Sequence, residues 1–496
     1  LTNVERIPEI SAADVARAVG GELSGDPAAT VRDITHDSRQ CGPGVLFAAM
    51  PGFVHDGCKF VASAMERGAA GVLAEKPTPD DFEGVWITVK DARAALARAA
   101  AEIHHHPSRD LNLVGITGTN GKTTTAYLMA ALARAAGEAG AMLTTVEHRI
   151  GNIKLKADRT TPEASDTQRM LRQAVDAGCR MAVMECSSQA LDLHRCDALE
   201  FAVAAFTNLT HDHLDYHHTM ENYWAAKLML FNGAIGSRPR ASVINLDDEA
   251  GVKLAQDLRA EGLKVITYGI ENETDVFATE IEVSLDGVRF EMHTGAGVRM
   301  VNSPLVGRPH VYNLLTATAS GLEIGYTLDQ IVAGFVDCNG APGRFERVRH
   351  DGEFTVVVDY AHTDDALINT LRSARAITPG RIITVFGCGG DRDNSKRALM
   401  GAAAGQYSDL VFLTSDNPRT EDPLKILDEA ETGLRGLATP YNKIADRRTA
   451  IHEAIAQARR GDLVVIAGKG HEDYQIIGKE TFPFDDREVA REALSI

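Results

Sequence analysis

The sequence has no CxxC pair, and its seven cysteines, at positions 41, 58, 179, 186, 196, 338 and 388, are odd in number. That pattern argues against a disulfide framework and a cysteine-based zinc site, and predicts reduced thiols. Long apolar runs are also missing: no stretch approaches the ~18–20 residues that a membrane span needs. The N-terminal segment LTNVERIPEI lacks a basic start followed by an apolar run. No secretory signal is therefore expected, and the cytoplasm is the expected compartment. Positive charge is in deficit, with 51 Lys+Arg against 69 Asp+Glu and a net charge of −18 with His neutral. A duplex-binding surface needs a basic footprint, so no nucleic-acid partner is expected. An anionic small substrate stays open, because a few Arg and Lys can hold one locally.

What is present is an ordinary globular balance, 44% hydrophobic and 24% charged. The 496 residues exceed one hydrophobic core. At ~100–200 residues per domain, they suggest three domains. Two loop clusters divide them. HHHPSRD at 104–110 follows an Ala-rich helical stretch from Asp91 to Ile103, and GAPGRFERV covers 340–348. Such clusters mark linkers. The expected domains are 1–107, 108–343 and 344–496. The three histidines at 104–106 are expected to be solvated.

Short apolar runs recur, each ending in a polar or Gly-rich turn. The central ones are LNLVGITGTNGKT, MAVMECSS, FAVAAFTNLTHDH and ASVINLDD. Later come FTVVVDYAH, RIITVFGCGGDRD, DLVFLTSDNPR and DLVVIAGKGHED. Buried parallel strands read this way, and ligands collect at the carboxyl ends of strands in open α/β sheets. The fold class is therefore α/β, with two such domains sharing a cleft. FATEIEVSLDGVRFEMH alternates instead and predicts a β-hairpin turning at Asp286-Gly287.

The strongest motif runs from Thr117 through Gly118, Thr119, Asn120, Gly121, Lys122 and Thr123 to Thr124. A strand, Leu111 to Ile116, leads in, and a helix, Thr124 to Ala136, leads out. Glycines let backbone N–H groups approach phosphate oxygens, and the helix N-terminus adds positive potential. Lys122 can reach terminal phosphates and the Thr123 hydroxyl can ligate Mg²⁺. The strict GxxxxGK[ST] pattern is not met, because Ile116 stands at its first Gly. Glu185, at the end of MAVME, is either a magnesium carboxylate or a solvent-facing strand end. THDHLDYHH, from Thr210 to His218, lacks zinc-finger spacing. A hard-metal site using one His fits it better, or a helix cap with solvated His. Lys227 is alone in an apolar helical stretch. The residues alone favour a snorkelling side chain. The other reading is an amine whose charged form burial disfavours, able to form a carbamate with CO₂.

TGTNGKTT, ECSS, THDHLDYH and YWAAKLMLF, in this order and spacing, resemble the Mur ligases of peptidoglycan synthesis over nearly the whole chain. THDSR, TTPE and DNPR resemble the diaminopimelate-adding type. The resemblance implies a UDP-binding N-terminal α/β domain, a central P-loop-type ATPase domain and a C-terminal Rossmann-like domain. It implies ATP and Mg²⁺ as cofactors, and a monomer that takes a UDP-N-acetylmuramoyl dipeptide and meso-diaminopimelate as substrates. ATP would bind at Gly118–Thr124 with Asn313, Arg344 and Asp359. Thr123, Glu185, His213 and a carbamylated Lys227 would serve the metal, with Lys122, His213 and Lys227 catalytic. The UDP substrate would meet His36, Ser38, Phe53, Val54, His55, Arg159, Thr160, Thr161, Ser187, Leu193 and Arg195. Leu193 stands where Gln can stand, and a Leu donates no hydrogen bond. Diaminopimelate would meet Arg392, Asp416, Asn417, Pro418, Arg419, Gly468 and Glu472. A D-Ala-D-Ala-adding relative and a non-catalytic nucleotide-binding regulator are the other readings.

Overall fold

The computed structural model describes residues 9–52 and 56–495. The chain divides into two compact units. The first holds Leu1–Phe277, His293–Gly297 and Asn313–Gly334; the second holds Ala278–Met292, Val298–Tyr312 and Phe335–Ile496. Among the described residues, no helix is long and apolar enough to cross a membrane.

The first unit contains two main sheets besides the short pair Ile10–Ser11 and Thr30–Val31. The smaller has the order Glu22–Ser24, Val85–Thr88, Gly71–Ala74, Val45–Ala49, Asp33–Thr35. Only its first pair is antiparallel. The Ala-rich stretch forms the helix Ala92–Ile103, and the Asp91 side chain caps it by accepting from the Arg93 and Ala94 N–H groups. Its Ala95, Leu96 and Ala99 pack with Ile34, Leu46 and Ile87 in one core. The expectation of three solvated histidines fails at His104. That residue is buried, and its Nε2 lies 3.1 Å from Asp33 Oδ1. Asp33 also accepts from Arg169 Nε at 2.8 Å. The partners lie far away in sequence, so the local HHH run did not reveal them.

The larger sheet has parallel strands in the order Gly140–Leu143, Met181–Glu185, Asn112–Thr117, Val203–Phe206, Ala241–Asn245, Val265–Gly269. Every apolar run named above for the centre of the chain is one of these strands. Leu113, Met184, Phe206 and Ile244 share one core.

In the second unit lies the expected Asp286-Gly287 turn, flanked by strands that extend over Val276–Ser284 and Gly287–Thr294. Gly287 has φ 136, and a Cβ there would lie 2.0 Å from the Ser303 carbonyl oxygen. The main sheet has the order Glu346–Val348, Thr355–Asp359, Leu463–Ala467, Ile382–Phe386, Leu410–Leu413, Tyr441–Lys443. All pairs after the first are parallel. Val357 and Val465 enter one core, while Val356 and Val464 enter another. Each strand is thus buried on both faces, which is why it reads as a continuous apolar run.

Behind this sheet lies an ion pair that sequence reading missed. Arg447 and Asp486 both have 0% exposure. Arg447 Nε and Nη2 donate to the two Asp486 oxygens at 2.7 and 2.6 Å. Arg447 also donates to the Ser415 and Ala467 carbonyls, at 3.3 and 2.9 Å. Removing one partner leaves a buried charge unpaired. Asp486→Ala is therefore expected to lose about 3–5 kcal/mol of stability in chemical denaturation. A loss under about 1 kcal/mol, the size of a surface pair, would contradict this.

Candidate active site

The strand Asn112–Thr117 runs into the Gly-rich loop, and the helix Lys122–Ala135 leaves it. The helix starts two residues before the expected Thr124. Gly118 and Gly121 have φ 141 and 90, and neither has room for a side chain. A Cβ would lie 1.9 Å from Thr207 Oγ1 at Gly118, and 2.4 Å from Asn313 Oδ1 at Gly121. Asn313 thus sits against the loop, as the resemblance implies. Thr207 Oγ1 donates to the Asn120 carbonyl at 2.6 Å, and Asn208 Oδ1 accepts from the Asn120 N–H at 2.9 Å. Lys122 Nζ donates to the Gly118 and Thr119 carbonyls, both at 2.9 Å.

Glu185 is 1% exposed, so it is not the solvent-facing strand end. Its Oε1 accepts from Thr123 Oγ1 at 2.9 Å, from the Thr145 N–H at 2.8 Å and from Thr145 Oγ1 at 3.1 Å. Each donor is neutral, so the buried negative charge lacks a countercharge from them. Thr145 is a residue that sequence reasoning missed, because only the fold brings its turn to Glu185. Among the described residues, no group of three His, Cys, Asp or Glu could hold a metal ion. The donor set still suits Mg²⁺, which keeps several waters and binds through one or two carboxylates plus substrate phosphates.

Lys227 is also 1% exposed, which overturns the snorkelling expectation. Its Nζ donates to the Gly118 carbonyl at 2.8 Å and sits 4.3 Å from the centre of the Tyr223 ring. Burial, reinforced by the Lys122 charge, holds this amine well below the usual lysine range, against the pull of Asp212. His213 has φ 54 and precedes the short helix Leu214–His217. Its ring meets the Tyr223 ring edge-on at 6.0 Å.

Thr160, Thr161 and Ser187, three of the residues assigned to the muramoyl peptide, lie close to Glu185. Thr161 Oγ1 donates to the Glu185 carbonyl at 2.7 Å and lies 3.3 Å from Ser187 Oγ. Thr160 Oγ1 lies 3.1 Å from Thr145 Oγ1. Arg195 pairs with Glu163 at 2.9 Å, and Arg159 pairs with the same carboxylate. Ser187 caps the helix Ser188–Asp192, and Leu193 follows its end. Ser38 begins the 3₁₀ turn Ser38–Gln40, next to His36. Phe53, Val54 and His55 lie outside the described residues. His36 Nδ1, Arg195 Nε and Arg344 Nε are buried with no hydrogen-bond partner among the described residues. A buried orphaned donor or acceptor is costly, and a polar ligand would satisfy it.

In the second unit, Asp359 Oδ2 accepts from the Phe345 N–H at 2.7 Å, and the Arg344 guanidinium lies 4.5 Å from the Tyr360 ring centre. The residues assigned to diaminopimelate gather at the strand ends. Asn417 Nδ2 donates to Glu472 Oε2 at 2.9 Å, and Arg419 Nη1 donates to the Gly390 carbonyl at 2.7 Å. A Cβ on Gly389 would lie 3.1 Å from Arg419 Nη1 and 3.6 Å from Arg392 Cγ, so the two arginines flank one point. A Cβ on Gly468 would lie 2.7 Å from Asp416 Oδ2, and one on Gly390 would lie 1.9 Å from the Pro418 carbonyl oxygen. Sequence reasoning missed Lys469, which is fully buried among these groups. Its signal was a lone cation just past an apolar strand.

Three family models match the chain in order. They are the Mur ligase family catalytic domain at 30–104, the Mur ligase middle domain at 116–321, and the Mur ligase glutamate ligase domain at 343–470. The chain belongs to the Mur ligase family. A relative from Solibacter usitatus (strain Ellin6076) is 48% identical over 94% of this chain and 93% of its own. One from Geobacter sulfurreducens (strain ATCC 51573 / DSM 12127 / PCA) is 44% identical over 96% and 97%. Both are named UDP-N-acetylmuramoyl-L-alanyl-D-glutamate–2,6-diaminopimelate ligase. A solved structure of that name has TM-score 0.70 and 33% identity, covering 98% of this chain and 99% of its own. The Thermotoga maritima MurF ligase in complex with ADP shares the fold, with TM-score 0.63 at 18% identity over 94% of this chain and 97% of its own. This Mur ligase is an ATP-dependent enzyme of three α/β domains.

The Glu185 environment yields a prediction. Glu185→Gln keeps the side-chain shape and removes a buried charge held by neutral donors. The melting temperature of the Mur ligase is expected to stay level or rise. Turnover is expected to fall at least about 100-fold, since the resemblance implies that this charge serves the reacting phosphoryl group. A lowered melting temperature with turnover kept would contradict both halves.

Proposed function

We propose that this Mur ligase joins meso-2,6-diaminopimelate to UDP-N-acetylmuramoyl-L-alanyl-D-glutamate with ATP, as a cytoplasmic monomer making peptidoglycan precursor. The domain limits of this reading are 1–107, 108–343 and 344–496. The observation that carries it is the strand-end cluster of Arg392, Arg419, Asn417 and Glu472. Diaminopimelate carries a carboxylate and an ammonium at its distal end. A guanidinium takes the first through two parallel hydrogen bonds, and a carboxylate takes the second. The names of the full-length relatives agree with this chemistry.

The reaction has two steps. A γ-carboxylate oxygen of the glutamyl residue attacks the γ-phosphorus of ATP, and the bond to the bridging oxygen breaks to release ADP. The neutral amine of diaminopimelate then attacks the acyl phosphate carbon. The tetrahedral intermediate loses its phosphate and a proton, leaving the amide. Two anions must meet in the first step. The Gly118–Thr124 N–H groups and Lys122 offset their charge, with Asn313, Arg344 and Asp359 holding the nucleotide. Thr123, Glu185 and His213 would hold Mg²⁺. Bound there, the ion would neutralise phosphate charge and polarise the γ-phosphoryl group. The UDP substrate is assigned to His36, Ser38, Phe53, Val54, His55, Arg159, Thr160, Thr161, Ser187, Leu193 and Arg195. The rest of the diaminopimelate contacts are assigned to Asp416, Pro418 and Gly468.

Lys227 is assigned as a carbamate. A neutral amine adds to CO₂ and releases a proton, converting a buried amine into an anionic metal ligand. Lys227→Ala is expected to be inactive and partly restored by short carboxylates such as formate or acetate. A free amine in the intact mass of fully active enzyme would overturn the assignment.

Arg419 sets the choice of amino acid. Lysine and meso-diaminopimelate share the reacting end and differ by the distal carboxylate. A cation left unpaired by the smaller ligand costs ~2–5 kcal/mol. Wild type is therefore expected to use meso-diaminopimelate and to use lysine very poorly. Arg419→Ala should raise KM for diaminopimelate while ATP and UDP-dipeptide binding persist. Equal kcat/KM for the two amino acids in wild type, or an unchanged preference in the variant, would contradict the reading.

A further inference from the structure

Three fully buried basic side chains lie in the second unit: Arg397, Arg447 and Lys469. Two of them bond backbone. Arg447 holds the Ser415 and Ala467 carbonyls, and Arg397 Nη2 holds the Gly389 carbonyl at 3.3 Å. These cations shape loops. The two hydrogen bonds of the Lys469 ammonium go to side chains instead. Nζ lies 3.1 Å from Asn417 Oδ1 and 3.3 Å from Glu472 Oε2. The Tyr474 ring centre is 5.5 Å away.

The same two side chains also bond each other, since Asn417 Nδ2 donates to Glu472 Oε2 at 2.9 Å. Asn417 Oδ1 also accepts from the Ile476 N–H at 3.0 Å. The amide is thus fixed end for end, with its oxygen accepting twice and its nitrogen donating to the carboxylate. Both bonds to Glu472 fall on Oε2. Gly468 and Gly470, with φ 116 and 53, wind the chain tightly on either side of Lys469. A Cβ on Gly470 would lie 2.6 Å from Tyr360 Cβ, so the loop has no slack there. Burying an ammonium is expensive, and packed apolar residues of similar volume are often as stable or more so. Stability alone therefore gives little reason for a cation here.

We infer that Lys469 is a positioning residue for amino-acid selection: its buried ammonium orients Asn417 and the Glu472 carboxylate to receive the ligand's distal ammonium. This rests on the assignment of diaminopimelate to that cluster. Lys469 acts through Glu472 and touches no substrate itself.

The test uses the full chain with Lys469→Met, Lys469→Arg, Glu472→Gln and the Lys469→Met/Glu472→Gln double variant. Steady-state kinetics with meso-diaminopimelate, ATP and UDP-dipeptide are read together with melting temperatures. Lys469→Met is expected to raise KM for meso-diaminopimelate about 10–100-fold, the size of one charge-assisted hydrogen bond. The KM values for ATP and UDP-dipeptide stay within about twofold and kcat within about threefold. Lys469→Arg recovers part of the loss. In the Glu472→Gln background, Lys469→Met adds nothing further, because the two changes act on one interaction. An unchanged KM for diaminopimelate in Lys469→Met would overturn the inference. So would multiplying effects in the double variant, no recovery in Lys469→Arg, or a rise in all three KM values with a fallen melting temperature. A Lys469→Met chain that does not fold would also overturn it, since the fold would then be what needs the cation. If wild type does not use meso-diaminopimelate at all, the proposed function fails. If it does and Lys469→Met matches it, only this inference fails.

Discussion

A parallel strand buried on both faces can present polar groups only where it ends, and this constraint arranges the molecule. Val356 and Val357 enter opposite cores, as do Val464 and Val465. Nothing along such a strand is free to meet a ligand. The chemistry therefore collects in the loops after Thr117, Glu185, Phe206, Phe386, Leu413 and Ala467. Each loop must then bring polar atoms close to the core without leaving them unsatisfied.

Buried cations help meet that demand. Arg447 reaches the carbonyls of Ser415 and Ala467, the residues just before Asp416 and Gly468. The two loops assigned to the amino acid thus hang from one guanidinium, whose charge Asp486 balances. Arg397 does the same for Gly389, with Glu421 and Glu429 as counterions at 2.8 and 2.7 Å. An Arg suits this work, because its planar fork makes several hydrogen bonds from one rigid group. A Lys is a compact point charge, and Lys469 is spent on two side chains rather than on backbone.

The strands and the Gly-rich loop were legible in the sequence, because period and punctuation are local. Asn112–Thr117, Met181–Glu185 and Leu463–Ala467 stand where apolar runs end in polar turns. The hairpin turn at Asp286-Gly287 was legible for the same reason. The cluster of Arg392, Asn417, Arg419 and Glu472 was legible only as strand-end motifs aligned by resemblance. What escaped was pairing across distance. His104 looked solvated in its run of histidines, yet its partner Asp33 lies 71 residues away. Lys227 looked like a snorkelling side chain, yet its acceptor lies 109 residues away. Thr145 carries no motif, and only the fold takes it to Glu185. Composition sees a charged residue; it does not see which carbonyl or carboxylate the fold will deliver to it.

The Gly118 carbonyl shows what such pairing does at the phosphate loop. It accepts from Lys122 Nζ at 2.9 Å and from Lys227 Nζ at 2.8 Å. Two ammonium groups on one oxygen would repel each other, and the low local dielectric would strengthen the repulsion. The conflict falls on the more buried partner, and Lys227 is the amine held well below its usual range. Lys122 thus keeps its charge at the Gly118 carbonyl, while Lys227 meets the same oxygen as an amine whose charged form is disfavoured. Close by, Thr123 donates to the buried Glu185 carboxylate. Two buried groups that would be poor choices for stability alone, Lys227 and Glu185, thus both bond the Gly118–Thr124 segment.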